Sequence, residues 1–167
     1  MKLRGLFSAL AAGAGLALIA STGTAQAYSP DPEVYNLLQY TDNCPCTHHD
    51  DVDGTYFQKD VGGAGLRSLV YHDGKLVGKV EFHPYGEKLW IYDTANDGDT
   101  FYVDVWVQRT PASKGVELVG TYAPPGTSDE VDYRVLDLDI PEGNYIELWF
   151  SDEADSSSFG ESKRGFA

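Results

Sequence analysis

Residues 100–108, Thr-Phe-Tyr-Val-Asp-Val-Trp-Val-Gln, alternate regularly between two kinds of side chain. Successive side chains of a β-strand point to opposite faces of a sheet, so the alternation predicts a strand with one buried and one solvent-facing side. The buried side would carry Phe101, Val103, Val105 and Val107, and the solvent-facing side Tyr102, Asp104, Trp106 and Gln108. This pattern is typical of an antiparallel sheet.

Similar alternation on both sides of this stretch predicts six further strands. Turn-forming sequences separate them, and Asp73-Gly74 is a particularly strong hairpin signal. The six strands are predicted at residues 66–72, 75–82, 88–92, 116–122, 131–138 and 145–150. Short strands at even spacing predict an all-β fold: a single antiparallel β-sandwich of about seven strands, with a flattened barrel as the alternative.

The segment before these strands has the features of a short helix. Asp31-Pro32-Glu33 is typical of a helix start, because Asp caps free amides, Pro is tolerated in the first turn and Glu favours its positive end. Val34, Leu37 and Leu38 would then share one face. We predict a short N-terminal helix that docks on its own domain or, alternatively, in a groove of a partner.

The first residues have the pattern of a secretory signal peptide. Lys2 and Arg4 precede the apolar run Gly5–Ala20, and Ala25-Gln26-Ala27 supplies the small residues that a signal peptidase accepts. We expect cleavage after Ala27 and a secreted, extracellular protein.

This leader gives the predicted domain organisation its first boundary. After a signal peptide at 1–27, we expect an N-terminal helix and Cys-containing loop segment at 28–65, a β-sandwich domain at 66–151 and a polar C-terminal tail at 152–167. The tail is rich in Asp, Glu and Ser, so we expect it to be loosely packed.

The chain is strongly acidic, with a formal net charge of −14 at pH 7. A surface of this sign repels nucleic-acid phosphates and anionic lipids, so neither nucleic acid nor a membrane is an expected partner. An extracellular protein partner remains compatible with this charge.

Cys44 and Cys46 are the two cysteines of the chain. Outside the cell they would not remain free thiols, so we predict a disulfide between them; bonds to another chain or a metal site are the alternatives. A ring this short removes little entropy from the unfolded chain, so such a disulfide would shape a loop rather than stabilise the fold.

Metal and cofactor binding are not expected. Cys44 and Cys46 beside His48 and His49 do not match a recurrent zinc spacing. The sequence around Gly98 lacks the closing Glu of an EF-hand loop.

The sequence contains none of the common catalytic signatures. Gly-x-Ser-x-Gly, His-Glu-x-x-His and a glycine-lysine phosphate loop are all missing. We therefore expect a non-catalytic protein, with an extracellular enzyme of unidentified type as an alternative.

Aromatic side chains indicate binding. Tyr102 and Trp106 lie on the predicted solvent-facing side of their strand and are the best candidates for exposed rings, which suit protein or carbohydrate ligands. The candidate partner-binding residues are Tyr28, Val34, Tyr35, Leu38, Tyr40, Tyr102 and Trp106.

The overall plan resembles that of small secreted proteins of filamentous soil bacteria. The resemblance rests on the Ala-rich leader, the loop at Cys44–Cys46 and the ending Tyr145-Ile146-Glu147-Leu148-Trp149-Phe150 before an acidic, Ser-rich tail. Some of these proteins resemble the adaptor subunit of umbrella-type antibacterial toxin particles. The resemblance implies a non-enzymatic connector between a lectin and a large repeat-containing toxin, with Tyr28–Tyr40 or the cysteine loop as the inserting segment.

Overall fold

A computed structural model describes residues 28–108, 115–126, 131–154 and 156–167 of the chain. The predicted signal peptide lies outside the described residues. Within them, every regular element is a β-strand. The strands are β1 (Glu33–Tyr40), β2 (Cys46–His48), β3 (Thr55–Phe57), β4 (Ala64–His72), β5 (Lys75–His83), β6 (Lys88–Asp93), β7 (Tyr102–Gln108), β8 (Val116–Tyr122), β9 (Asp132–Asp137), β10 (Tyr145–Ser151), β11 (Gly160–Glu161) and β12 (Gly165–Phe166).

Ten of these strands form one antiparallel sheet, and β2 and β3 form a separate hairpin. The main path runs β8-β7-β10-β12-β4-β5-β6-β9, with β1 paired to β4 and β11 paired to β10. The all-β, antiparallel prediction is thereby confirmed, and each of the seven predicted strands is present as β4 to β10. No described residues form a helix long and apolar enough to cross a membrane.

The sheet is curled around one hydrophobic core. The core cluster joins Val103, Val105 and Val107 of β7 to Val80 and Phe82 of β5, although several strands separate β7 from β5 in the sheet order. Strands so far apart share a core because the sheet bends until its inner faces meet. The burial of β7 alternates as the sequence predicts.

The predicted hairpin at Asp73-Gly74 is confirmed. The two residues have φ values of 50° and 75° and connect β4 directly to β5. Positive φ at both central positions is typical of a type I′ turn, whose twist matches that of the paired strands. The hairpin fixes the register of β5, which carries the charged residues of the site below.

The predicted N-terminal helix is wrong, because residues 33–40 form strand β1. The strand pairs antiparallel with β4 from Glu33↔Tyr71 to Tyr40↔Ala64. An isolated helix of this length is marginal, whereas an edge of β4 offers hydrogen-bond partners along the whole segment. Val34 and Leu38 also fall on one face of a strand, where they pack against the core.

The C-terminal segment is packed into the sheet rather than loose. Gly165 and Ala167 are buried, and β12 bridges β10 and β4. A Cβ at position 165 would approach Leu66 and Phe82 within 2.9 Å, so this strand requires the absence of a side chain there. The polar composition concealed this packing, which buries the small residues Ser162, Gly165 and Ala167.

Candidate functional site

The disulfide between Cys44 and Cys46 is present, with an S–S distance of 2.04 Å. It lies at the start of the β2–β3 hairpin, whose connecting residues 49–54 cover the outer side of β5. Cys44 is buried, so the disulfide is a structural part of this segment. The predicted pairing is confirmed.

The N-terminal candidates for partner binding divide into buried and exposed residues. Tyr28 is buried and packs on the ring of His72 with a centroid distance of 4.9 Å. Val34 and Leu38 are half-buried against the core. Tyr35 and Tyr40 are 57% and 64% exposed, so they are the members of this group that a partner could contact directly.

Tyr35 borders a cleft of about 660 Å³. Its ring stands edge-on to Tyr71 at 5.5 Å, and its hydroxyl donates a hydrogen bond to Glu33. The cleft lies between the start of β1 and the β4–β5 turn. Its walls mix apolar and acidic side chains.

Tyr102 and Trp106 lie on the outer side of β7, as the alternation predicts. Register pairing places Leu118 of β8 opposite Trp106, and Trp149 of β10 opposite Asp104. The rings of Trp106 and Trp149 are 5.4 Å apart. We call this surface the Trp106 face; its apolar members are Tyr102, Trp106, Val116, Leu118 and Trp149.

The Trp106 face is exposed at its margins, while Trp106 itself is partly exposed. Trp149, Leu118 and Val116 are 39%, 41% and 42% exposed. Exposed tryptophan and aliphatic side chains are suited to contact with another protein.

A second group of rings lies on the outer side of β6 and β9. Trp90 stacks on Tyr133 with a centroid distance of 5.5 Å and an interplanar angle of 28°. Trp90 also stacks on Tyr92 at 6.2 Å. Tyr133 is 56% exposed, so solvent reaches the row at this ring.

Beneath this row lies a buried lysine surrounded by carboxylates. Lys79 of β5 is fully buried, and its Nζ lies 3.3 Å from Asp50 Oδ2 and 3.0 Å from Glu81 Oε1. Nζ also contacts Asp53 Oδ1 and lies 4.5 Å from the centre of the Tyr92 ring. We call Lys79, Asp50, Asp53 and Glu81 the Lys79 cluster.

The sequence builds this cluster from two elements. Lys79 and Glu81 are two residues apart on β5, so both point to the outer side of the sheet. Asp50 and Asp53 come from the tip of the β2–β3 hairpin. Asp50 Oδ1 accepts hydrogen bonds from three backbone amides, including those of Val52 and Gly54 at 3.0 Å, and thereby holds the tip in shape.

The surroundings keep these groups charged. Burial alone would raise the pKa of Asp50 and Glu81, but hydrogen bonds and the Lys79 ammonium outweigh it and lower both pKa values. Burial alone would lower the pKa of Lys79, and the neighbouring carboxylates reverse this effect and raise the pKa. Burial, reinforced by Glu81 and Asp53, raises the pKa of Tyr92, so its hydroxyl stays protonated.

Asp50, Asp53 and Glu81 are also the one group of potential metal ligands among the described residues, with carboxylate oxygens within 4.8 Å of one another. The Lys79 ammonium lies among them and already supplies a positive charge. The three carboxylates therefore surround an ammonium group rather than form an open metal-binding site.

This chain matches no protein-family model. No curated protein and no solved structure is significantly similar to it either. Its chemistry must be read from the residues themselves.

Sequence reasoning did not find the Lys79 cluster. In the sequence, Asp50 and Asp53 belong to a polar loop beside His48 and His49, and nothing local indicates that they contact Lys79. The available signal was a lysine and a glutamate two positions apart in the otherwise apolar stretch 76–82, because charged residues in such a stretch need buried partners.

Proposed function

We propose that this protein is a secreted, non-catalytic binding protein whose partner is another extracellular protein. The observation that carries the proposal is the Trp106 face, where Trp106 and Trp149 lie together on the outer side of the sheet beside the exposed Leu118. Paired tryptophans at a protein surface are typical of residues that dominate the binding energy of an interface.

The neighbouring groups favour a protein over a small apolar ligand. Asp104 and Glu147 lie next to the two tryptophans in the register and give the surface an acidic border. This border adjoins the apolar side chains of the Trp106 face. A partner with an apolar patch and basic residues around it would match both features.

The finer proposal is an adaptor role in an antibacterial toxin particle, joining a lectin subunit to a large repeat-containing toxin. It is supported by the resemblance described above and by two separate sets of exposed rings, Tyr35 and Tyr40 on β1 and the Trp106 face on β7, β8 and β10. In this proposal the curled sheet forms the two layers of a β-sandwich. Each of the two sets of exposed rings binds a different partner.

Affinity purification from culture medium tests the proposal. A tagged protein, secreted by the organism that encodes it and recovered at low salt, should carry one or more other secreted polypeptides in a fixed stoichiometric ratio. Recovery of the tagged protein alone would contradict the proposal. Companion subunits without lectin or repeat sequences would leave protein binding standing and contradict the toxin-particle role.

Carbohydrate binding is a second candidate function, favoured by the stacked rings of Trp90 and Tyr133. Sugars bind through their apolar faces to exposed aromatic rings, and Tyr133 presents such a face. A glycan array should then give hits that Tyr133→Ala abolishes, or that Trp106→Ala abolishes if the sugar binds the Trp106 face. An array without hits would remove this candidate.

A further inference from the structure

The Lys79 cluster holds an amine against a carboxyl group in an arrangement suited to a covalent reaction. Lys79 Nζ contacts Oδ1 of Asp53, and the hydroxyl of Tyr92 donates a hydrogen bond of 3.2 Å to Oδ2 of the same carboxylate. One oxygen of Asp53 therefore faces the nitrogen, while the other is held by a donor that would stabilise negative charge developing on it.

Glu81 is placed to move protons for the same reaction. Its Oε1 lies 3.0 Å from Lys79 Nζ, and its Oε2 lies 2.9 Å from His83 Nε2. Glu81 is nearly fully buried, so a proton that it accepts stays within the cluster.

Asp50 is less suited to react than Asp53. Its Oδ1 accepts three backbone N–H groups, and Arg67 lies 3.6 Å from its Oδ2. Donors of this kind stabilise the carboxylate as an anion and oppose its conversion to a neutral acyl group.

We propose that Lys79 and Asp53 condense to an intramolecular amide bond, which joins β5 covalently to the tip of the β2–β3 hairpin. The Lys79 ammonium passes one proton to Glu81, which transfers it to Oδ1 of Asp53. The nitrogen lone pair attacks Cγ, and the C=O electron pair moves to Oδ2 beside the Tyr92 hydroxyl.

The remaining steps release water. Glu81 accepts a second proton from the nitrogen and delivers it to Oδ1, which leaves as water while the C=O double bond forms again. Glu81 ends as the carboxylate that it was at the start. The reaction forms one C–N bond and breaks one C–O bond, and it needs no oxidant or other co-reactant.

Two physical effects favour the amide in this site. Groups held in contact react with effective concentrations on the order of 10⁵–10⁸ M, which offsets the tendency of water to hydrolyse an amide. Condensation also removes the positive charge of Lys79 from a buried position, while Arg67, 3.6 Å from Asp50 Oδ2, and His83, 2.9 Å from Glu81 Oε2, remain beside the two buried carboxylates.

The bond would complement the disulfide. Cys44 and Cys46 are two positions apart, so their disulfide constrains little beyond its own turn. A link between residues 53 and 79 would instead fix the whole hairpin on the sheet. This inference does not depend on the identity of a binding partner.

Intact mass spectrometry of the secreted, reduced protein tests the proposal directly. The wild-type chain should be lighter by one water molecule than its sequence requires. Trypsin should give residues 28–59 joined to residues 76–88, with Lys79 uncleaved, because an acylated lysine is not a trypsin site. Fragmentation should place the link between Lys79 and Asp53.

Three variants separate the chemistry from adventitious loss of water. Lys79→Arg and Asp53→Ala should have the full mass of their sequences, and Glu81→Gln should show the link in only a minor fraction of molecules. Lys88→Arg is the matched control, since Lys88 forms an exposed pair with Asp137 and should leave the link intact. A wild-type protein of full mass would overturn the proposal, and a link from Lys79 to Asp50 would overturn the assignment of Asp53.

Discussion

The side-chain nitrogen of Lys79 is fully enclosed, with carboxylates of Asp50, Asp53 and Glu81 around it. A lysine is rarely fully buried unless it is paired. Asp50 and Glu81 are themselves buried, so the group depends on the Lys79 nitrogen between them.

Removal of the lysine nitrogen should therefore be strongly destabilising. Lys79→Met takes away the donor that contacts both Asp50 and Glu81, together with its bond to Asp53, and we expect a loss of about 3–5 kcal/mol in the free energy of unfolding. Urea unfolding followed by tryptophan fluorescence measures it. The exposed Lys88→Met, which breaks the pair with Asp137, should cost less than about 1 kcal/mol; equal effects of the two substitutions would contradict this account.

Asp152 gives a residue-scale prediction about pH. Burial and then the neighbouring charge of Asp31 raise the pKa of Asp152 to about 6. Between the ordinary pKa of an aspartate and this value, the folded state binds more protons than the unfolded state, so this residue makes stability fall as pH rises through that window.

Asp152→Asn should remove that dependence. The variant should be more stable than the wild-type protein at pH 7.5 and nearly equal to it at pH 4, with a gain of about 1 kcal/mol or less because solvent screens a partly exposed carboxylate. Urea midpoints at both pH values measure the difference. A variant less stable than wild type at pH 7.5 would show that the carboxylate is favourable when charged.

The positions of some residues could be predicted from the sequence, and those of others could not. The outward positions of Tyr102 and Trp106 follow from local alternation and could be predicted. The partnership of Lys79 with Asp50 could not, because it depends on how a loop folds over a strand 29 positions away.

At the scale of elements, the structure could be predicted from the sequence where a strand and its adjacent turn determine it locally. The β4–β5 hairpin is an example, since Asp73-Gly74 determines both the turn and the register. Strand β1 is the opposite case. Its eight residues suit either a helix or a strand locally, and pairing with β4 decides between them.

The contact between β5 and the start of β7 gives an element-scale prediction. A Cβ at position 78 would overlap the ring of Phe101, which is fully buried. Gly78→Ala should therefore lower the free energy of unfolding by about 1–3 kcal/mol through overpacking. Gly126→Ala is the control, because a Cβ there meets nothing within 4 Å. Equal urea midpoints for the two variants would contradict the close approach.

At the scale of the whole molecule, the curled sheet separates structural from exposed features. Its inner side holds the apolar core, while its outer side carries the Lys79 cluster, the stacked rings around Trp90 and the Trp106 face. Seven of the twelve strands could be predicted from the sequence, but the sheet order could not. The order depends on pairings such as β10 with β7 and β12 with β4, which join distant residues and leave no local pattern.

The proposed function is a property of this whole arrangement, because the Trp106 face collects side chains from three strands. Trp149 belongs to β10, Trp106 to β7 and Leu118 to β8. A partner that binds there contacts residues of three strands rather than one segment of the chain. Loss of a tryptophan that dominates an interface typically costs at least about 2 kcal/mol, or roughly 30-fold in affinity.

The most direct test of protein binding through the Trp106 face is quantitative co-purification of secreted companions with the wild-type protein, Trp149→Ala and Tyr85→Ala. Tyr85 is 57% exposed at the turn between β5 and β6, outside the face, and serves as the matched control. With all three proteins shown to be folded by circular dichroism, Trp149→Ala should lose most of the companion protein, while Tyr85→Ala should retain it at the wild-type ratio. Retention of the companion by Trp149→Ala at that ratio would contradict the proposed role of the Trp106 face.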